Sequence, residues 1–175
     1  MKTRWTIPSK IAALLAGVLL LLITSSSVAL ANNPADNDGP QNTGAATAAL
    51  YKLQSSFHQA ASTKDIHLLM SLFAADATFV GPGNITYVGP AAIGRGFLTT
   101  GAYQPGNNWA GLTPSYRTRI TILSGHRATM YFECDYVDRG TLQLKAQLVA
   151  NTTEVRRDGK WLFETFTGGP PPPPL

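Results

Sequence analysis

Apolar and polar positions alternate along this chain with two different periods, and the change of period divides it. Leu50, Leu53, Phe57, Ala60 and Ala61 recur at helical spacing and predict a first helix over Ala45 to Ala61. The polar Ser62-Thr63-Lys64-Asp65 turns the chain, and Ser62 or Asp65 is placed to cap the next helix. Ile66, Leu69, Met70 and Phe73 form the apolar face of that second helix. Thr78-Phe79-Val80 has strand character, Gly81-Pro82-Gly83-Asn84 interrupts it, and Ile85 to Val88 resumes it. Pro90 suits the first turn of a third helix reaching about Thr100, with Ile93 and Phe97 on its buried face.

The stretch from Tyr103 to Pro114 is rich in Gly, Asn and Pro, and predicts a long loop around Trp109 at the mouth of any pocket. Beyond it the period becomes two. Tyr116 to Leu123 sets Arg117, Arg119 and Thr121 against Thr118, Ile120 and Ile122. Ala128 to Val137 sets Met130, Phe132, Cys134 and Tyr136 against Thr129, Tyr131, Glu133 and Asp135. A long strand follows over Leu142 to Arg156. Arg157-Asp158-Gly159-Lys160 makes a hairpin turn, and Trp161 to Thr167 forms the last strand. Helices first and a strand meander afterwards predict an α+β fold with helices on one face of the sheet.

The ends change the picture of charge and place. Lys2, Arg4 and Lys10 precede the apolar stretch Ile11 to Ile23, and Ala29-Leu30-Ala31 offers a small-residue cleavage site. These are the parts of a secretory signal peptide, residues 1–31, which predicts a secreted or periplasmic protein. A membrane association follows only if the leader stays uncleaved. Of the 14 Lys and Arg, three lie in the leader, so the remainder carries 11 against 10 Asp and Glu, a charge of +1 rather than +4. That balance argues against nucleic acid as a partner. Residues 32–44 are read as a flexible linker, residues 45–168 as the domain, and residues 169–175, ending in five prolines and a leucine, as a stiff tail. One cysteine, Cys134, gives no intrachain disulfide.

The layout of Leu72 to Phe97, LFAADATFVGPGNITYVGPAAIGRGF, resembles the nuclear transport factor 2-like superfamily in its SnoaL-like branch, a relative of ketosteroid isomerase. The resemblance rests on the order and spacing of elements over about Ala45 to Gly168. It implies a cone-shaped, cystatin-like α+β barrel: a curved antiparallel sheet wrapped around N-terminal helices and enclosing an apolar pocket. The isomerase works with a carboxylate base and two oxyanion donors, a tyrosine and a protonated aspartate. Counted from Asp65, from Asp76-Ala77-Thr78 and from Gly159, those three positions fall on Phe57, Gly81 and Asn151. Phe57 and Gly81 offer neither base nor hydroxyl, and only the Asn151 amide keeps a donor. The proton-transfer mechanism does not carry over.

The other candidates divide by neighbourhood. The resemblance places Glu164, alternating with Leu162 and Phe166, on the pocket side, where desolvation would raise its pKa and suit it to acid-base work. Cys134 reads as an apolar filler with no base beside it, and His58 as a surface residue. His67 and His126 lack metal-ligand spacing, so no metal site is expected. Asp76 is expected to hydrogen-bond backbone at a helix-to-strand turn. Gly94-Arg95-Gly96 is a weak phosphate-loop signal on a helix surface. Arg117 and Arg119 are placed to pair with Glu133 and Asp135 across strands.

The expected role is binding a small apolar or amphipathic molecule without metal or organic cofactor. Phe57, Phe79, Phe132, Cys134, Tyr136 and Val149 would line the pocket, and Asn151 would be its polar handle. Two alternatives stand beside it. One is an isomerase, cyclase or hydrolase using Glu164 and Asn151, and the other is a homodimerising interaction module. A homodimer is expected in any case.

Overall fold

The computed structural model describes residues 40–99, 101–104, 106–112 and 117–170. The expected leader, most of the expected linker and the tail beyond Pro170 lie outside the described residues. Helix α1 spans Pro40–Thr63 and so starts five residues before the expected domain boundary. A proline suits this start, because the first helical N–H has no partner to lose. Leu50, Leu53, Phe57, Ala60 and Ala61 are all buried, as their spacing requires. Lys64 has a positive φ of 60° and ends the helix. Asp65 then caps α2 (Ile66–Met70), its Oδ1 accepting from the Leu68 N–H at 2.8 Å.

Strand β1 runs Phe73–Val80, so Phe73 belongs to a strand rather than to the second helix. After a single 3-10 turn, β2 (Thr86–Val88) pairs antiparallel with β1. Helix α3 follows over Pro90–Thr99, and its Ile93 and Phe97 are buried. The Gly94 and Gly96 spacing serves packing rather than phosphate. A Cβ on Gly94 would lie 2.9 Å from Met70 Sδ, and one on Gly96 2.9 Å from the Tyr87 ring. Arg95 between them is exposed.

The remaining strands are β3 (Trp109–Leu112), β4 (Arg119–Ser124), β5 (Arg127–Asp138), β6 (Leu144–Arg157) and β7 (Lys160–Gly169). Trp109 therefore lies in a strand and not in a loop, because β3 pairs with the C-terminal end of β5. The long β5, β6 and β7 are joined in antiparallel ladders, and Asp158 and Gly159 turn between β6 and β7 with positive φ of 50° and 76°. Positive φ at both central residues gives a two-residue turn the right twist for a hairpin.

The sheet order is β2-β1-β7-β6-β5-β3, with β4 also on β5. The sheet is curved but unclosed. It is also mixed rather than wholly antiparallel, since β1 lies parallel to β7. Helix α1 packs against β3, β4 and β7, and α3 against β1 and β2. All seven phenylalanines of the chain, at 57, 73, 79, 97, 132, 163 and 166, are buried and linked by ring contacts within one core cluster. At about 1.5–3 kcal/mol per buried large apolar side chain, this cluster is the main stabilising element of the fold.

Candidate site at the mouth of the cone

The phenylalanines fill most of the cone and leave a cavity of about 90 Å³ at one end. Phe57, Phe79, Phe97 and Phe166 form its inner wall. Cys134 and Tyr136 from β5, and Leu148, Val149 and Ala150 from β6, form one side. Ala102 and Tyr103, from the 3-10 turn after α3, form the other. That turn is tied down from two directions. The Tyr103 hydroxyl donates to the Phe57 carbonyl at 3.0 Å, and Lys64 Nζ donates to the Ala102 carbonyl and to Asn107 Oδ1. Partial burial, and then the nearby Arg139, hold the Lys64 ammonium below its usual pKa.

The expected pocket residues separate into two groups. Phe57, Phe79, Cys134, Tyr136 and Val149 border the cavity. Phe132 is fully buried but sits deeper, in ring contact with Phe57 and Phe163. Asn151 is exposed and does not border the cavity. Its ladder partner is Tyr131, and residues facing each other across an antiparallel ladder share a face of the sheet. The inward residues of this part of β6 are Ala150, Thr152 and Glu154, one position away from Asn151 on either side.

Glu164 is likewise outside the cavity. The β6–β7 ladder pairs Thr153 with Thr165 but Glu154 with Phe163, so Glu164 is the extra residue of a bulge. That bulge lets Phe163 and Phe166 both face the core and turns the Glu164 carboxylate to Arg127 at 3.0 Å and Arg157 at 3.9 Å. Arg157 also holds Asp76 at 2.9 Å, so Asp76 forms an ion pair from β1 in addition to the expected backbone hydrogen bond, which it accepts from its own N–H. The hydrogen bond from Arg157 keeps the Asp76 carboxyl below its usual range. Gly81 does not border the cavity, and a Cβ there would meet the Phe79 ring at 3.0 Å. Arg117 pairs with Glu133 at 3.1 Å, as expected across strands, whereas Arg119 lies over the Tyr131 ring at 4.5 Å.

The sequence reading missed His58. It is buried, not on the surface, and its Nε2 lies 2.9 Å from Cys134 Sγ. Burial lowers its pKa to about 4, so the ring is neutral at ordinary pH. Cys134 thus has an imidazole beside it and also hydrogen-bonds the Tyr136 side chain. Burial, with the neighbouring Cys134, pushes the Tyr136 phenol well above its usual range, so it stays protonated. The available signal was the i, i+4 pair Gln54 and His58, in step with Leu50 and Ala61. Gln54 is buried too, and donates to Thr118 Oγ1 at 2.8 Å.

A second buried polar group lies away from the cavity. Glu154 is fully buried, one of its carboxyl oxygens is bonded to Thr152 Oγ1, and the other has no hydrogen-bond partner. Burial pushes its pKa up to about 7. Among the described residues, no three His, Cys, Asp or Glu lie close enough together to hold a metal.

A curved open sheet around N-terminal helices is the cystatin-like fold of the nuclear transport factor 2-like proteins, and this chain has it. A protein of unknown function from Nostoc punctiforme with a cystatin-like fold matches over 73% of this chain and 92% of its own, with a TM-score of 0.62 at 18% identity. A nuclear transport factor 2-like protein from Novosphingobium aromaticivorans matches over 75% and 90%, with a TM-score of 0.60 at 18% identity. The hexachlorocyclohexane dehydrochlorinase LinA-type3 from Novosphingobium barchaimii matches over 75% and 90%, with a TM-score of 0.62 at 19% identity. No family model and no curated relative matches the sequence.

Proposed function

We propose that the chain binds a small uncharged molecule in the mouth of its cone. The observation that carries this reading is the cavity of about 90 Å³, which no charged side chain borders among the described residues. Ligand sites in general are apolar hollows with a few placed polar groups. Here the polar residues on the border are Tyr103, Cys134 and Tyr136. The cavity is smaller than one of about 150 Å³ that binds benzene, so it suits a ligand of no more than about six heavy atoms. A four-carbon ketone is of the right size. A carboxylate of equal length would lose its hydration with no cation to replace it.

Glu164 and Asn151 do not support the enzyme alternative, because both side chains lie on the other face of the sheet from the cavity. The fold is shared with a hexachlorocyclohexane dehydrochlorinase, which at 19% identity lends this chain no reaction. Export and a homodimer belong to the same reading. Export is supported by the basic, apolar and small-residue order of residues 1–31. Pairing is supported by exposed Leu123 and Leu144 on strands of the sheet. Sequencing the N-terminus of secreted protein and weighing the protein in solution test the two.

Titration with 2-butanone, followed by methyl NMR, tests the binding. The signals of Ala102, Leu148 and Ala150 should shift saturably, and Ala150→Leu should abolish the effect by filling the space. Shifts scattered over the surface, or equal shifts with butyrate, would refute the reading.

A further inference from the structure

We propose that Cys134, with His58 as its general base, adds covalently to a small uncharged α,β-unsaturated carbonyl compound entering the cavity. This inference rests on the binding reading above and goes beyond it. Cys134 is more than a solitary buried thiol. Cys134 borders the cavity, its sulfur lies 2.9 Å from His58 Nε2, and the Tyr136 side chain hydrogen-bonds it. Of the residues on the cavity border, Leu148 and Gly168 are only half-buried.

The chemistry follows from those contacts. With the ring proton on Nδ1, Nε2 accepts from the thiol. As sulfur attacks, its proton moves to Nε2, and Tyr136 donates to the developing thiolate. The S–C bond forms at the β-carbon and the π electrons pass to the carbonyl oxygen as an enolate. The proton then returns from Nε2 to the α-carbon. No electrons are gained or lost overall and nothing leaves.

An addition suits this site better than a displacement. A displacement would expel an anion into a hollow that no cation borders among the described residues. An uncharged electrophile suits it for the same reason. Among the described residues, the titratable groups placed against Cys134 include His58 from α1, Tyr103 from the 3-10 turn and Tyr136 from its own strand. The two phenols stay protonated through neutral pH because burial raises both, and the imidazole stays neutral. The base is therefore in its working form across pH 5.5–8, roughly the range where an unassisted thiol gains tenfold in rate per pH unit.

The test exposes the full chain to methyl vinyl ketone and follows the adduct by intact mass, with 2-butanone binding measured in parallel. The protein has one cysteine, so a single sulfur adduct assigns itself. One adduct is expected, lost in Cys134→Ser, with a rate nearly level from pH 5.5 to 8 and about 100-fold slower in His58→Gln. The pH profile is read on the unaltered protein, so the outcome does not depend on either variant folding. A rate climbing tenfold per pH unit would overturn the base role. No adduct despite saturable 2-butanone binding would overturn the covalent step and leave the binding reading standing. Failure of both would remove both.

Discussion

Two buried groups titrate in opposite directions, and their balance gives a prediction about stability. His58 has a pKa of about 4 in the fold against an ordinary 6.5. Between those values the unfolded chain binds the extra proton, so stability rises as pH rises from about 4 to 6.5. Glu154 has a pKa of about 7 in the fold against an ordinary 4.5. Here the folded chain binds the extra proton, so this contribution is fully present below 4.5 and is lost as pH rises through 7. At about 1.4 kcal/mol per pH unit, each window is worth about 3 kcal/mol. The slopes cancel where the windows overlap. Urea unfolding of the unaltered protein should therefore give a nearly constant stability from pH 4.5 to 6.5. Glu154→Gln keeps the shape of the side chain and removes its titration. It should uncover the His58 slope, with stability rising by about 3 kcal/mol from pH 4 to 6.5. His58→Gln should uncover the other, with stability falling by about 3 kcal/mol from pH 4.5 to 7. The readout is the unfolding midpoint by tryptophan fluorescence at four pH values, since Trp161 is buried. Asp76 and Asp138 are held below the usual carboxylate range and act at lower pH. If the Glu154→Gln profile runs parallel to that of the unaltered protein, the carboxyl is not titrating where its burial puts it, and the reasoning fails.

Four further outcomes follow from the packing. Phe57→Ala, at the centre of the phenylalanine cluster, should cost about 3–5 kcal/mol in denaturant unfolding and enlarge the cavity; a cost under about 1 kcal/mol would place Phe57 outside the core. Gly96→Ala should cost about 1–3 kcal/mol, because its Cβ would meet three atoms of the Tyr87 ring within 3.0 Å. Gly94→Ala should cost less, since its nearest neighbour is the flexible end of Met70. Tyr103→Phe should lose about 1 kcal/mol with its bond to the Phe57 carbonyl and loosen the turn bordering the cavity, read by hydrogen exchange at Ala102 and Tyr103.

Much of this protein was legible in local pattern. Period and punctuation gave α3 its place and its buried Ile93 and Phe97, and the Asp158-Gly159 turn its hairpin. They also separated Met130, Phe132, Cys134 and Tyr136 of β5 from Glu133, and the family resemblance then put Phe132, Cys134 and Tyr136 inside, where the structure buries them. These features depend on residues within a few positions of one another. Others were not legible. Asn151 and Glu164 could not be assigned to a face, because alternation says only that neighbours differ. A ladder partner decides which one faces in, and a bulge resets the count. The parallel pairing of β1 with β7 and the pairing of β3 with β5 likewise depend on distant segments. His58 and Cys134 are 76 residues apart, and no spacing along the chain signals their contact. The cavity was the least accessible of all. Its volume is what remains after seven phenylalanines have packed, a small difference between large volumes that only the assembled interior determines.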